Sequence, residues 1–382
     1  MKVVVVGGGI VGLASAYSLV ERGADVILCE KGQLGHGSTE RSVGGIRAQF
    51  AHSTNIELSL ESMQVWEEFE EIFGIDIAYR RSGYLFLARE AATATALDES
   101  VELQHEYGVP SEFMDPENAT EHCPALSADR FRAASFSPSD GFADPHLALQ
   151  GYSEAATTAG VDIRTGTRVS ALHTSDGAVV GVTAGDERIE ADFVVNAAGP
   201  WAAELAAMAG IDLPVSPRRR QVLVVDPSSE LPESVPLTID LDTGSYFRPE
   251  REGTALVGGH FAERDPAADP DNYRTAFDLE WAATAMERAT EVAGYFDEDS
   301  AIRRGWAGLY SVTPDDRAIL EETRPGFVQA VGFSGHGFQH APATGQLVAE
   351  LVMDGTASLV DIDPLRLDRF DDERSEDEWQ VA

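Results

Sequence analysis

Histidines and glycines stand close together in residues 332–346, GFSGHGFQHAPATGQ, and each residue type suggests a different chemistry. His336 and His340 are candidate general acids or bases, because an imidazole titrates near neutral pH. No partner for such a role lies nearby in the sequence. The four glycines of the stretch favour a second interpretation, a backbone surface that approaches a large ligand closely. A helix is predicted to follow, beginning near Thr344.

A second group of reactive side chains lies in residues 31–50, KGQLGHGSTERSVGGIRAQF. Arg41 and Arg47 stand there among the hydroxyl donors Ser38, Thr39 and Ser42. Guanidinium and hydroxyl groups in a glycine-rich loop suit an extended cofactor and an anionic group. The alternative is a solvated loop, with Arg47 in a salt bridge to a surface acid. We favour the cofactor interpretation, because the hydroxyl donors and the two arginines occur together.

The first thirty residues predict the element that positions these loops, a β-α-β unit. Residues 2–6, KVVVV, read as a buried strand, GGGIVG follows, and a helix begins in LASAYSLVERG. Gly7 permits the tight turn, Gly9 admits a pyrophosphate, and Gly12 lets the helix pack on the strand. A second strand, DVILCE, ends at Glu30, where an acid can bind a ribose hydroxyl. This unit alone fits a nicotinamide or a flavin cofactor.

Downstream segments predict further sheets. Strands at 168–173, 178–183 and 188–195 form a meander that ends in Ala197-Ala198-Gly199 and a helix. After the first loop comes an amphipathic helix over 55–74. Residues 216–305 contain strand-like pieces (RQVLVVD, GSYFRPE, TALVGGH) and a helix near 273–293. We therefore expect a second domain.

Composition excludes several classes of function. The chain has 382 residues, 65 acids against 28 lysines and arginines, and a formal charge of −37. The acids are dispersed, which suits a solvated surface in a high-salt (halophilic) cytoplasm and leaves no basic face for nucleic acid. Cys29 and Cys123 are too few for a disulfide framework, and no metal-ligand spacing occurs. No apolar run reaches membrane-spanning length, and no signal peptide precedes the first strand, so we expect a cytoplasmic protein.

Five motifs in order resemble the D-amino-acid-oxidase-like FAD-dependent oxidoreductase superfamily, closest to sarcosine oxidases and the β subunits of dye-linked L-proline dehydrogenases. They are VVVVGGGIVGLASAYSL with Glu30-Lys31, GSTERSVGGIRAQF, VVNAAGPWA, YFRPEREGTALVGGH, and GWAGLYSVTPDDRAIL followed by GFSGHGFQHAPATGQ. The resemblance implies a mixed α/β (α+β) fold. A Rossmann-like FAD-binding domain (1–78, 142–215 and 306–382) would interleave with a β-rich substrate domain (79–141 and 216–305).

The resemblance also implies contacts along the whole cofactor, here non-covalent FAD. Gly7, Gly9, Ile10, Val11 and Gly12 would hold the pyrophosphate, Glu30 and Lys31 the adenosine ribose, and Val169 the adenine end. Ser38, Arg41, Ser42, Gly44 and Gly45 would lie along the flavin. Ala198, Gly199 and Trp201 would contact the diphosphate and ribityl chain, and Gly308, Leu309, Gly335, His336, Gly337, Phe338 and Gln339 would border the isoalloxazine.

The implied activity is oxidation of the C–N bond of a small amino acid, with secondary amines favoured, such as sarcosine, proline or glycine, by hydride transfer to flavin N5. Arg47 matches the residue that pairs with the substrate carboxylate. Tyr246 and His260 match cavity positions, although ordinary sheet residues would look the same. His336 would tune or pack against the ring, and His340 would be structural. The helix after the glycine loop would point its N-terminal amides toward the flavin.

Three departures from the family pattern affect the chemistry. Gly308 stands where some sarcosine oxidases carry a flavin-linking cysteine. Leu256 is near the position of an oxygen-activating lysine, and no lysine follows Lys31. Gln339 replaces a lysine that assists carboxylate binding. The first departure predicts non-covalent FAD, and the second favours a dehydrogenase over an oxidase.

Several alternatives stay open from the sequence. The chain could be an FAD-binding subunit of a larger dehydrogenase complex, or a flavin dehydrogenase of a hydroxy acid or glycerophosphate. A nicotinamide-only enzyme ranks last, because nothing after the β-α-β unit suits it. The electron acceptor could be a dye-like carrier, a partner subunit or O2, and the protein could form a hetero- or homo-oligomer.

Overall fold

The computed structural model of the chain describes residues 1–261, 265–371 and 377–380. Its strands are β1 Lys2–Val6, β2 Asp25–Cys29, β3 Gly45–Ile46, β4 Tyr84–Ala88, β5 Glu112–Met114, β6 Ala133–Ser137, β7 Gly141–Phe142, β8 Asp162–Arg164, β9 Val169–Ser175, β10 Ala178–Ala184, β11 Glu187–Glu190, β12 Phe193–Asn196, β13 Ser216–Asp226, β14 Leu237–Asp240, β15 Ser245–Pro249, β16 Ala255–Gly259, β17 Ala301–Val312, β18 Ile319–Arg324 and β19 Phe327–Val331. Its α-helices are α1 Ile10–Glu21, α2 Ser53–Glu67, α3 Phe69–Phe73, α4 Ala91–Glu106, α5 Pro116–Ala119, α6 Pro145–Ala159, α7 Ala202–Ala207, α8 Leu279–Val292 and α9 Ala341–Asp354.

The first sheet has six strands in the order β18-β19-β12-β1-β2-β8, and β18 is its antiparallel member. The predicted strand over 2–6 is confirmed, and its valines show why the run is continuous. Val3 and Val5 belong to the core formed with α1 and α9, while Val4 and Val6 belong to the core formed with the meander β9–β11. Because successive side chains point to opposite faces, a strand covered on both faces has to be apolar throughout.

The second sheet has eight strands in the order β17-β13-β16-β15-β14-β4-β6-β5. It combines strands from residues 84–137 with strands from residues 216–312. Helix α8 covers one face, where its alanines pack with Leu223, Val257 and Phe247. The fold is therefore a mixed α/β arrangement, as expected. The proposed domain boundary at 305/306 falls within β17, and the division into two domains stays a proposal.

Some predicted elements are wrong in their limits. The strand expected over 188–195 is two strands, β11 and β12, because the chain leaves the meander at Ala191 and enters the first sheet. The helix over 55–74 is interrupted at Glu68, between α2 and α3. The helix near 273–293 begins only at Leu279, since the carbonyls of Arg274 and Ala276 accept from the Arg219 guanidinium instead.

The helix expected to begin near Thr344 begins at Ala341, one turn earlier. Pro342 lies in its first turn, where a proline is tolerated because the first helical N–H groups have no intrahelical acceptor. In the part of the chain that the structure describes, no helix is long and apolar enough to cross a membrane.

Candidate active site

The loops at the carboxyl ends of β1, β12 and β19 open into one cavity, as is usual for ligand sites in parallel sheets. Gly7 has a φ of +115°, and a Cβ there would lie 2.3 Å from the carbonyl oxygen of Ala197. A Cβ on Gly12 would lie 1.9 Å from the carbonyl oxygen of Gly7. The turn into α1 therefore requires glycine at both positions. Gly9 lies at the N-cap position of α1 and presents backbone to the cavity.

Glu30 follows β2 directly and lines the part of the cavity where the sequence predicts the adenosine ribose. Its carboxylate accepts from the backbone N–H of Gly8 at 2.8 Å and from that of Gly32 at 2.6 Å. These bonds fix the side chain and leave acceptor sites for a ribose hydroxyl. Lys31 lies at the cavity rim, where its Nζ is 2.6 Å from Asp271 and 3.4 Å from the ring centroid of Trp201.

The loop at 38–42 packs against β17 at the other end of the cavity. Ser38 Oγ donates to the carbonyl of Leu309 at 2.6 Å, and Arg41 Nη1 donates to the carbonyl of Ala307 at 3.1 Å. A Cβ on Gly308 would lie 2.9 Å from the Cβ of Arg41. The glycine predicted to border the flavin therefore also allows this loop to approach β17.

Arg47 is 4% exposed and is held by groups that are far apart in the sequence. Its Nη1 donates to the carbonyl of Gln49, its Nη2 donates to the carbonyl of Gln380, and Nη2 lies 3.1 Å from His336 Nε2. The guanidinium lies 3.8 Å from the ring centroid of Phe50. Burial lowers the pKa of the guanidinium, and nearby Glu378 opposes this most strongly.

The two histidines of the glycine loop have different surroundings. Burial, Arg47 and His340 hold the pKa of His336 well below its ordinary value, so the ring is neutral. A guanidinium can only donate, so Nε2 accepts from Arg47 and the ring proton lies on Nδ1. His340 is 2.9 Å from Ser59 Oγ, and burial lowers its pKa to about 3. This environment suits the structural role expected of His340.

Three tyrosines form part of the cavity wall. Tyr84, Tyr246 and Tyr310 all line it, and burial raises the pKa of each. Their hydroxyls are therefore protonated at neutral pH and can donate hydrogen bonds. Arg220 also lines the cavity, with its guanidinium 5.4 Å from the Tyr310 ring centroid and two bonds to Asp265 at 2.9 and 2.8 Å.

Most of the predicted site residues lie around this one cavity. The residues that line it include Gly7, Gly9, Ile10, Val11, Glu30, Lys31, Ser38, Arg41, Ser42, Gly45, Arg47, Val169, Ala198, Gly199, Trp201, Tyr246, Gly308, Leu309, Gly335, His336, Gly337, Phe338 and Gln339.

Three of the predicted site residues, Gly12, Gly44 and His260, do not line the cavity. Gly12 packs α1 against β1, and Gly44, with a φ of +74°, would place a Cβ 1.9 Å from the carbonyl of Ala143. Both glycines serve the packing of the loops. His260 is absent from the lining and lies 3.9 Å from Asp265, which pairs with Arg220.

Sequence reasoning missed four contributors to the site. Tyr310 directly follows the predicted pair Gly308-Leu309, so that motif could have indicated it. Tyr84 begins a buried strand, and Arg220 stands in a run of three arginines; neither position carries a motif. The fourth contributor is the segment 377–380. Its residue Gln380 contacts Arg47 although the two are 333 positions apart in the sequence, so no short-range pattern could have indicated the contact.

The cavity suits FAD in its lining and its donors. It runs from the glycine turn of α1 to the tyrosine wall, and side chains at Gly7 or Gly12 would collide with backbone. Arg41 Nε is buried without a hydrogen-bond partner among the described residues, so a donor is left for a ligand. Nowhere in residues 1–261, 265–371 and 377–380 do three or more His, Cys, Asp or Glu side chains form a group that could hold a metal ion.

Comparisons with known proteins agree with this reading of the cavity. A family model described as "DAO: FAD dependent oxidoreductase" matches residues 2–351. FAD-dependent oxidoreductase domain-containing protein 1 of Xenopus laevis is 31% identical over 96% of this chain and 82% of that protein. The crystal structure of L-proline dehydrogenase from P. horikoshii aligns over 99% of both chains with a TM-score of 0.88 and 31% identity. Glycine oxidase of Geobacillus kaustophilus is 29% identical over 96% of both chains.

Proposed function

Because the chain belongs to the DAO family of FAD-dependent oxidoreductases, we propose that it oxidises the C–N bond of a small amino acid. A secondary amine such as sarcosine or proline is the favoured substrate, with glycine as a further candidate. Relatives of this chain include an L-proline dehydrogenase, a glycine oxidase and dimethylglycine dehydrogenases. All of these act on small amino acids or their N-methyl derivatives.

The observation that carries the proposal is that Arg47 lines the same cavity as the glycine-rich turn between β1 and α1. A planar guanidinium matches a carboxylate geometrically, and the buried setting strengthens the attraction. A carboxylate bound there would place the adjoining α-carbon within the same cavity as the flavin-side residues Leu309 and Gly337. Orientation of this kind is a major source of rate acceleration.

The other polar side chains around Arg47 would bind and orient the substrate. The residues that line the cavity would hold FAD, whose N5 atom would supply the hydride acceptor. The substrate nitrogen has to be uncharged when the hydride leaves, because its lone pair forms the C=N bond. His336 is neutral, but its Nε2 is occupied by Arg47, so it positions the arginine. The protonated hydroxyls of Tyr246 and Tyr310 would bind the carboxylate or the nitrogen as donors or acceptors.

Electron transfer to a carrier other than O2 completes the proposal. Leu256 is 3% exposed in β16, near the position at which the resemblance to sarcosine oxidases implies an oxygen-activating lysine. A fixed cation beside the flavin would stabilise developing superoxide, and this strand supplies none at that position. We therefore favour a dehydrogenase, in which a small carrier or a partner subunit takes the electrons.

Anaerobic bleaching of the bound FAD tests the proposed activity. The purified holoprotein is mixed with a panel of N-methyl, cyclic and D- or L-amino acids, and with hydroxy acids and glycerophosphate as the alternative class. Loss of flavin absorbance with amino acids alone is the expected result. Bleaching by hydroxy acids alone, or by nothing in the panel, would refute it. Reoxidation by a dye and by air then compares the two acceptors, and faster reoxidation by the dye is expected.

A further inference from the structure

The segment 377–380, called here the C-terminal strap, is fastened next to Arg47 by its backbone. The N–H of Glu378 donates to the carbonyl of Asp315 at 3.0 Å, and His52 Nε2 lies 3.1 Å from the carbonyl oxygen of Asp377. Trp379 packs against the apolar cluster that contains Tyr84 and Tyr246, two residues of the cavity wall. The strap is therefore part of the wall behind the substrate end of the cavity.

Glu378 places a buried carboxylate in this wall. The side chain is fully buried and accepts from the backbone N–H of Ala51 at 3.1 Å and from Asn55 Nδ2 at 3.0 Å. Buried carboxylates are rare without a compensating charge, and Glu378 is near enough to Arg47 to favour the charged form of its guanidinium. Glu378 therefore supplies a negative charge to the same guanidinium that a substrate carboxylate would use.

The backbone carbonyl of Gln380 already accepts a hydrogen bond from the Arg47 nitrogen that a substrate carboxylate would need. A guanidinium can grip a carboxylate with two bonds along its Nε–Nη2 edge or along its Nη1–Nη2 edge, and both edges include Nη2. In Arg47, Nη2 already donates to the carbonyl of Gln380 and contacts His336 Nε2. Neither edge of Arg47 can bind a carboxylate with two bonds while both contacts persist.

Two polar atoms of the strap lack hydrogen-bond partners in the described parts of the chain. Gln380 is 1% exposed, yet neither the nitrogen nor the oxygen of its side-chain amide has a hydrogen-bond partner among the residues described. Burying an amide without hydrogen-bond partners costs free energy, so the strap is bound less stably than its burial suggests. A carboxylate also brings a full negative charge to the guanidinium, an attraction that a neutral carbonyl lacks. An anionic ligand can therefore displace the strap.

Resting on the proposed function, we propose that the C-terminal strap competes with the substrate carboxylate for Arg47. The carbonyl of Gln380 and the charge of Glu378 together set the affinity for the substrate. The strap keeps Arg47 paired in the absence of substrate and yields when a carboxylate binds. Affinity for carboxylates is lowered by the fraction of molecules in which the strap holds Arg47.

Deletion of residues 377–382 in the FAD-loaded protein tests the competition. Acetate, a carboxylate that cannot be oxidised in this way, is titrated and its dissociation constant is read from the perturbation of the flavin absorbance. Acetamide, of the same shape and without charge, is the matched ligand. Acetate should bind at least about fivefold more tightly to the deleted protein, a typical size for coupled sites. Acetamide should bind equally to both.

Glu378→Gln provides a second variant in case the deletion impairs folding, and it should tighten acetate binding in the same direction. Hydrogen exchange in the wild-type holoprotein gives a readout without any variant. Acetate, but not acetamide, should speed exchange at the backbone amides of Glu378 and Gln380, and Arg47→Met should abolish this effect. Equal or weaker acetate binding in both variants, no binding at all, or unchanged exchange would overturn the proposal.

The outcomes separate the two proposals. If no amino acid bleaches the flavin, the proposed function fails, while acetate titration and hydrogen exchange still report on the strap. If amino acids bleach the flavin and acetate leaves the strap protected, the strap proposal fails alone.

Discussion

Replacing Arg47 with alanine should weaken amino-acid binding while FAD stays bound. A desolvated, charge-assisted pair between an arginine and a carboxylate is worth roughly 2–4 kcal/mol. In this protein Nη2 already donates to the carbonyl of Gln380, and Glu378 balances the charge, so substrate gains only the difference between the two states. We therefore expect a loss near the lower limit, about 2 kcal/mol, which corresponds to roughly a 30-fold rise in the dissociation constant.

The assay is the amino-acid concentration dependence of anaerobic flavin bleaching, with the FAD content of each protein measured beforehand. Arg248→Ala is the matched control. Arg248 is equally buried at 5% exposed, donates to the carbonyls of Val43 and Pro249, and pairs with Glu250 at 2.9 Å, but it does not line the cavity. Both variants lose a buried arginine, so both should lose stability.

Only Arg47→Ala should raise the dissociation constant of the substrate. An unchanged constant in Arg47→Ala would remove this residue from the substrate site. An equal rise in Arg248→Ala would show that the effect comes from loosened packing.

Two further predictions follow from the geometry. Gly12→Ala should lose FAD and have a lower melting temperature, because its Cβ would lie 1.9 Å from the Gly7 carbonyl oxygen. Gly294→Ala is the control and should show neither effect, because its Cβ would meet nothing closer than 3.7 Å. Retained FAD in Gly12→Ala would contradict the predicted turn. Burial raises the pKa of Asp140 from 3.8 to about 6, so its ionisation opposes folding progressively between pH 4 and 6, by about 3 kcal/mol in full. The melting temperature of Asp140→Asn, relative to wild type, should therefore rise as pH increases from 4 to 7. A pH-independent difference would show that Asp140 does not titrate with a raised pKa in this range.

The β-α-β unit that is proposed to bind the nucleotide could be predicted from the sequence because its geometry is local. Gly7 and Glu30 lie within a single β-α-β unit, and their spacing carries the information. The break between β11 and β12 was not predictable in the same way. Residues 188–193 alternate charged and apolar side chains, as one continuous strand would. Only the pairing with β10 and then with β1, in two different sheets, decides where the chain turns.

The substrate end could be predicted only in part, because its contacts join distant segments. Arg47 was identified through a motif, but its bonds to Gln380 and its proximity to Glu378 depend on how the end of the described chain packs against α2. Tyr84 comes from a strand whose sequence, YLFLA, looks like any buried strand. Polar groups that converge on a cavity from several sheets leave no periodic signal in the sequence.

Gln339 illustrates how the structure changes the meaning of one position. Its Oε1 accepts from the backbone N–H of Arg47 at 2.9 Å, so it fixes the backbone of the residue that we propose binds the carboxylate. Its Nε2 is buried and has no hydrogen-bond partner in the described parts of the chain, which leaves one neutral donor beside the arginine. A lysine at this position would add a second charge to the site. With glutamine, the affinity for a carboxylate depends on Arg47 and on how firmly the C-terminal strap holds it.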